Sequence, residues 1–108
     1  MKRGDIYLVS LDPTAGREQR GRRLVLVVSP VEFNTATQLP VVVPIINGGD
    51  FGSRLGFAVA ITGIKSTGFI RCDQPRVLDP SARFARKVDE LPADILEDVL
   101  AKIATLFE

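Results

Sequence analysis

Apolar and polar positions along the chain follow two different periods. From Gly4 to Leu11 the alternation is loose, with Ile6, Leu8 and Val9 as the candidates for burial, and it predicts a strand. Leu24 to Ser29 is a continuous apolar run ending in Ser29, the mark of a central strand. Leu39 to Ile46 is a second apolar run. Pro40 and Pro44 cannot donate to a ladder, so this strand is expected at an edge or a bulge. Gly56–Ile61 and Thr67–Cys72 read as short strands joined by a turn, and Gln74–Leu78 as a last short strand. Pro30–Ala36 has room for one helical turn. After Pro92 the period changes to three or four. Ile95, Leu96, Val99, Leu100, Ile103, Leu106 and Phe107 form one apolar face, which predicts a packed C-terminal helix. Asp94, Glu97 and Asp98 stand near its N-terminal end, where the helix dipole favours them. Short strands at close spacing followed by one helix predict a small antiparallel barrel or strongly curved sheet.

The turns agree with this reading. Asp12-Pro13-Thr14-Ala15-Gly16 and Asn47-Gly48-Gly49-Asp50 carry the residues that tight turns require. A chain of 108 residues without a linker or repeat is expected to be one domain, 1–108. No apolar run is long enough to span a bilayer and no signal peptide opens the chain, so the expected location is the cytoplasm, with no membrane partner. Net charge is +1, but it is unevenly spread: residues 1–88 carry +6 and residues 89–108 carry −5. A basic body is compatible with nucleic-acid binding, although charge alone fits an ordinary solvated surface as well.

The chain has one cysteine and no histidine. An internal disulfide is excluded, a thiolate metal site is disfavoured, and the usual general base and commonest metal ligand are missing. Any catalysis has to run on carboxylates, arginines, hydroxyls and backbone amides. Two segments offer them. Gly16-Arg17-Glu18-Gln19-Arg20-Gly21-Arg22-Arg23 has four arginines and two glycines in eight residues, which suits phosphate contact, although taken alone it reads first as a solvated hairpin loop. In Arg71-Cys72-Asp73-Gln74-Pro75-Arg76, strand alternation puts Arg71 and Asp73 on one face and Cys72 toward the core. That pair is either a structural ion pair or a base and a charge stabiliser for phosphodiester chemistry, and the spacing does not choose between them. Phe57 and Phe69 are expected in the core or half exposed, where they could stack on a base.

Taken in order, these segments resemble the Kid/PemK/MazF family of toxin–antitoxin endoribonucleases, above all its Kid/PemK branch. The likeness runs through Arg3-Gly4-Asp5-Ile6, Leu11-Asp12-Pro13-Thr14-Ala15-Gly16, Glu18-Gln19, Gly21, Arg23 and Phe33-Asn34. It continues through Leu39 to Pro44, Gly48-Gly49, Gly56-Phe57-Ala58-Val59, Thr67-Gly68 and Arg71 to Arg76. The resemblance implies a mainly β fold, an SH3-like barrel of short antiparallel strands with a C-terminal helix, assembled as a homodimer. It implies a metal-independent, cofactor-free endoribonuclease that cuts single-stranded RNA, usually mRNA, at short motifs. Cleavage would leave a 2′,3′-cyclic phosphate and inhibit translation and growth. Arg71 and Asp73 would be the catalytic pair, with Arg17, Glu18 and Arg23 as helpers, and RNA contacts would fall on Gln19, Asn47, Leu55, Phe57, Thr67 and Phe69. A cognate antitoxin with an acidic tail would cover the same groove.

Three positions depart from the family pattern. Arg17 stands where Kid-like members have histidine, and an arginine can orient a phosphate but cannot exchange a proton near neutral pH. Leu24 follows Arg23 in place of a common proline, and Ile46 replaces a threonine. Two rival readings use the same scaffold. One is a CcdB-like toxin that binds gyrase, a type that depends on C-terminal residues including a tryptophan, which this chain lacks. The other is a catalytically weakened homologue that binds RNA or antitoxin.

Overall fold

In the computed structural model, residues 1–10, 21–47 and 56–108 are described. Among them are seven strands: β1 (Asp5–Ser10), β2 (Arg22–Val27), β3 (Val41–Ile46), β4 (Ala58–Ala60), β5 (Phe69–Arg71), β6 (Arg76–Val77) and β7 (Arg86–Glu90). Two helices accompany them, α1 (Val31–Thr37) and α2 (Ala93–Thr105). The strands pair in one antiparallel sheet with the order β4-β5-β3-β2-β1-β7, and β6 pairs separately with β3. No described helix is long and apolar enough to cross a membrane.

The sheet is open. Its strand order has two ends, β4 and β7, and no ladder joins them among the described residues. This corrects the expected SH3-like barrel: the mainly β class and the C-terminal helix stand, but the closure does not. Closing a barrel requires the end strands to hydrogen-bond. Here β4 has three residues, and β7 is an exposed strand rich in charge. Short, charged end strands are the usual protection of an unpaired edge.

The two faces of the sheet are built differently. Ile6, Leu26, Val43, Ile45, Ile70 and Cys72 face α2, whose Val99 is fully buried among them. Ile95, Leu96, Leu100 and Ile103 pack on the same cluster, as the three-to-four period predicts. Gly4 leaves room for this docking. Its φ is +98°, and a Cβ there would lie 3.2 Å from Leu96. The expected packing fails at the end of the helix: Leu106 is 37% and Phe107 79% exposed. The helix ends at Thr105, so these two residues no longer follow the buried face.

β3 is central and not at an edge, pairing with β2 on one side and with β5 and β6 on the other. The prolines are tolerated for a geometric reason. The Val41 N–H donates to Ser29 Oγ at 2.8 Å and its C=O accepts from Val28 at 2.9 Å, so Val41 faces β2. By alternation Pro44 turns its nitrogen the other way, into the gap between β6, which pairs with Val41 and Val42, and β5, which pairs with Ile45 and Ile46. Pro40 lies before the strand and uses its C=O to accept from Leu78 at 2.9 Å. Strand β7 has no counterpart in the periodicity. Val88 is its one large apolar residue, and it is held by pairing with β1 rather than by burial.

Candidate active site

Cross-strand partners in an antiparallel pair share a face, so the register places the side chains on the helix-free side of the sheet. Val9 opposes Arg23, Tyr7 opposes Val25, and Val25 opposes Pro44. Ile46 opposes Phe69, and Val42 opposes Arg76. Phe69 and Arg71 are alternate residues of β5 and point the same way. One face therefore presents Arg23, Phe69, Arg71 and Arg76 over a floor of Val25, Val42, Pro44 and Ile46. Arg23 and Phe69 flank Ile46 from strands on either side of β3, which sets their backbones roughly 10 Å apart.

Arg71 and Asp73 form a two-pronged ion pair. Arg71 Nε donates to Asp73 Oδ1 at 2.8 Å, and Nη2 donates to Oδ2 at 2.7 Å. Strand alternation is not what brings them together, because β5 ends at Arg71. The Gln74 N–H donates to the Arg71 C=O at 3.2 Å, closing a turn that folds Asp73 back over Arg71. Cys72, between them, is fully buried. Burial pushes its thiol up to about 11, so near neutral pH it is a packed thiol and not a nucleophile. The hydrogen bond from Arg71 holds the Asp73 carboxyl below its ordinary value, and the same bond holds Arg71 further above its own. Both groups are charged near neutrality. The fork occupies one lone-pair site on each carboxylate oxygen, and the Asp73 backbone N–H donates a further hydrogen bond to the carboxylate; of roughly four sites, one is still able to accept.

Two hollows open on the sheet; neither is lined by Arg71 or Asp73, although the first reaches Gln74, the residue after Asp73. A groove of about 330 Å³ on the helix-free face is lined by Arg23, Gln74, Arg76 and Arg83 above an apolar floor that includes Val25 and Pro44. A cleft of about 390 Å³ lies between the end of β3 and the segment before β5, and Arg22, Arg23, Ile46, Asn47 and Thr67 line it. Arg23 and Ile46 belong to both walls. The structure thus brings together three of the expected residues, Arg23, Asn47 and Thr67. Phe69 is half buried on the adjoining face. Phe57 is 38% exposed and so is not a core residue; its C=O accepts from the Cys72 N–H at 2.9 Å, which sets it beside the Arg71–Asp73 turn. Arg17, Glu18, Gln19 and Leu55 lie outside the described residues.

Gln74, Arg76 and Arg83 were not singled out by the sequence as site residues. Gln74 and Arg76 stand in the same run as Arg71 and Asp73, so their place was within reach. Arg83 carries no local signal. It reaches the groove because its C=O accepts from the Ser10 N–H at 2.8 Å, which draws the segment before β7 across the sheet.

Comparison with known proteins fits this geometry. Residues 2–107 match the family model described as PemK-like, MazF-like toxin of type II toxin–antitoxin system. The endoribonuclease PemK of Escherichia coli is 51% identical over 108 residues, covering 98% of this chain and 81% of that protein. The endoribonuclease toxin ChpB of Escherichia coli K12 is 34% identical, covering 99% and 94%. A MazE–MazF crystal structure from Deinococcus radiodurans superposes with a TM-score of 0.88 at 31% identity, covering 99% of this chain and 95% of that one. The order of motifs from Arg3 to Arg76, the Arg71–Asp73 pair and these similarities agree, and the chain belongs to the PemK-like, MazF-like toxins of type II toxin–antitoxin systems.

Proposed function

We propose that this endoribonuclease toxin cuts single-stranded RNA, mRNA included, at short sequence motifs, without a metal ion, through Asp73 and Arg71. The observation that carries this reading is the forked ion pair, joined in the turn after β5 and set on the same face as Arg23. RNA brings its own nucleophile. Asp73 accepts the proton of a 2′-hydroxyl on a lone pair outside the fork. The 2′-oxygen then forms a bond to phosphorus, and the bond from phosphorus to the 5′-oxygen breaks. Arg71 stabilises the negative charge that builds on the phosphoryl oxygens and the departing oxygen, which takes its proton from water. The products are a 2′,3′-cyclic phosphate and a 5′-hydroxyl. Arg17, Glu18 and Arg23 are the proposed helpers, with Arg23 as a second cation against the phosphate.

The strand is held by Gln19, Asn47, Leu55 and Thr67 through polar and packing contacts, and by stacking on Phe57 and Phe69. Arg76 and Arg83, in the adjoining groove, carry neighbouring phosphates. The working form is a homodimer, and a cognate antitoxin is its protein partner. The match to a MazE–MazF structure supports the antitoxin assignment.

The test is incubation of the purified protein with a long single-stranded RNA in excess EDTA, followed by mapping of the cut ends. Cuts at a recurring short motif with cyclic phosphate termini are expected, together with loss of cutting in Asp73→Ala and Arg71→Ala proteins that remain folded. Full activity of a folded Asp73→Ala protein sinks the assignment. RNA binding without cutting by the wild-type protein points instead to a weakened homologue. Light scattering checks the dimer.

A further inference from the structure

β7 and the β4–β5 hairpin stand at opposite ends of the strand order, yet a side chain spans them. Asp89 of β7 reaches the loop between β4 and β5. Its Oδ2 accepts from the Ser66 N–H at 3.0 Å and from the Ser66 hydroxyl at 2.9 Å, while its Oδ1 accepts from the Glu90 N–H at 3.0 Å. Partial burial pushes this carboxyl up, but the hydrogen bonds from Ser66 and Glu90 and the nearby Lys65 more than offset that and leave it below its ordinary value. A carboxylate suits the position because both of its oxygens accept, and they serve donors from two separate segments at once.

What the contact holds is the wall of a cleft. Ser66 precedes Thr67, which lines the cleft with Arg23 and Asn47. On the other side of Thr67, Gly68 is pressed against β3: its φ is +128°, and a Cβ there would lie 2.6 Å from the Ile46 carbonyl oxygen. Its own C=O accepts from the Ile61 N–H at 3.0 Å. Thr67 therefore sits between two fixed points, one set by β3 and the other by Asp89. Asp89 lines neither the groove nor the cleft.

We propose that Asp89 is a positioning residue for RNA binding, holding Thr67 at a set distance from Arg23 and Asn47 by tying Ser66 to β7. This rests on the RNA-cleaving function proposed above. Asp89 acts on the binding wall and not on the Arg71–Asp73 pair, so its loss raises KM and spares kcat. Steady-state cleavage of one RNA tests it. In Asp89→Ala the KM is expected to rise about tenfold, the factor for losing one contact of ~1.4 kcal/mol, with kcat nearly unchanged. Asp89→Asn keeps one accepting oxygen and recovers part of the loss, which also covers the case of an Asp89→Ala protein that folds poorly. Because Asp89 acts through Thr67, Asp89→Ala adds nothing to KM in a Thr67→Ala background. Unchanged KM in Asp89→Ala or Asp89→Asn, a fall in kcat alone, or fully additive effects with Thr67→Ala each overturn the inference. A wild-type protein that does not cut RNA overturns the function itself, and the inference with it.

Discussion

Asp73→Asn separates a catalytic carboxylate from one that serves only in an ion pair. The substitution keeps the size of the side chain and one accepting oxygen, but it turns an amide NH₂ toward the Arg71 fork. One of the two bonds, at 2.8 and 2.7 Å, is then lost to a donor facing a donor. The pair is partly shielded, with side chains 11% and 26% exposed. A hydrogen bond to a charged group is worth ~1.5–3 kcal/mol, and discounting for the exposed side of Asp73 leaves about 1–2 kcal/mol. In a domain of this size that lowers Tm by about 5–10 °C. A purely structural pair predicts that loss and no more, measured well below Tm. A proton acceptor predicts in addition a fall in kcat of roughly 10²–10⁴. The assay is a thermal melt followed by circular dichroism, beside single-turnover cleavage of a defined RNA at 25 °C. Wild-type cleavage by a folded Asp73→Asn protein refutes the role of Asp73 as base, even if Tm falls as calculated.

Three further outcomes follow from the geometry. Arg71 holds the Asp73 carboxyl below its ordinary value of 3.8, so the stabilisation is complete above that value and drains as pH falls through the depressed one. The Tm gap between wild type and Asp73→Asn should accordingly stay constant at neutral and mildly acid pH and shrink below about pH 4; a gap that widens on acidification refutes the ion pair. Gly68→Ala should cost at least ~2 kcal/mol in a denaturant melt, because the new methyl meets the Ile46 carbonyl oxygen at 2.6 Å in a backbone conformation that L side chains rarely adopt, and an unshifted midpoint contradicts the close approach. Cys72, fully buried with its thiol raised to about 11, should react with a thiol reagent at pH 8 only as fast as the protein opens, so immediate labelling of the native protein counts against its packing.

Much of the chain declared itself through local pattern. The helix over Ala93–Thr105 follows from its apolar spacing, and the strands around Leu24, Val41 and Phe69 from continuous or alternating apolar runs. The histidine-free composition narrowed any chemistry to carboxylates and arginines, and the ordered motifs carried the family. These are properties of neighbours in sequence, and the period of an element writes them directly.

Other features are decided by what lies across the sheet. Whether Pro44 makes β3 an edge depends on which strand faces its nitrogen, and the gap between β5 and β6 answers that. The polar strand β7 exists because β1 offers it a partner, and closure into a barrel fails because β4 and β7 do not pair. Sequence spacing put Arg71 and Asp73 on one face, but it is the turn closed by Gln74 that makes them a forked pair. The meeting of Arg23 with Asn47 and Thr67, and the reach of Asp89 to Ser66, join segments far apart in the chain. The residue types available to the site are a local property of the sequence. Their distances are set by long-range pairing, which no local period records.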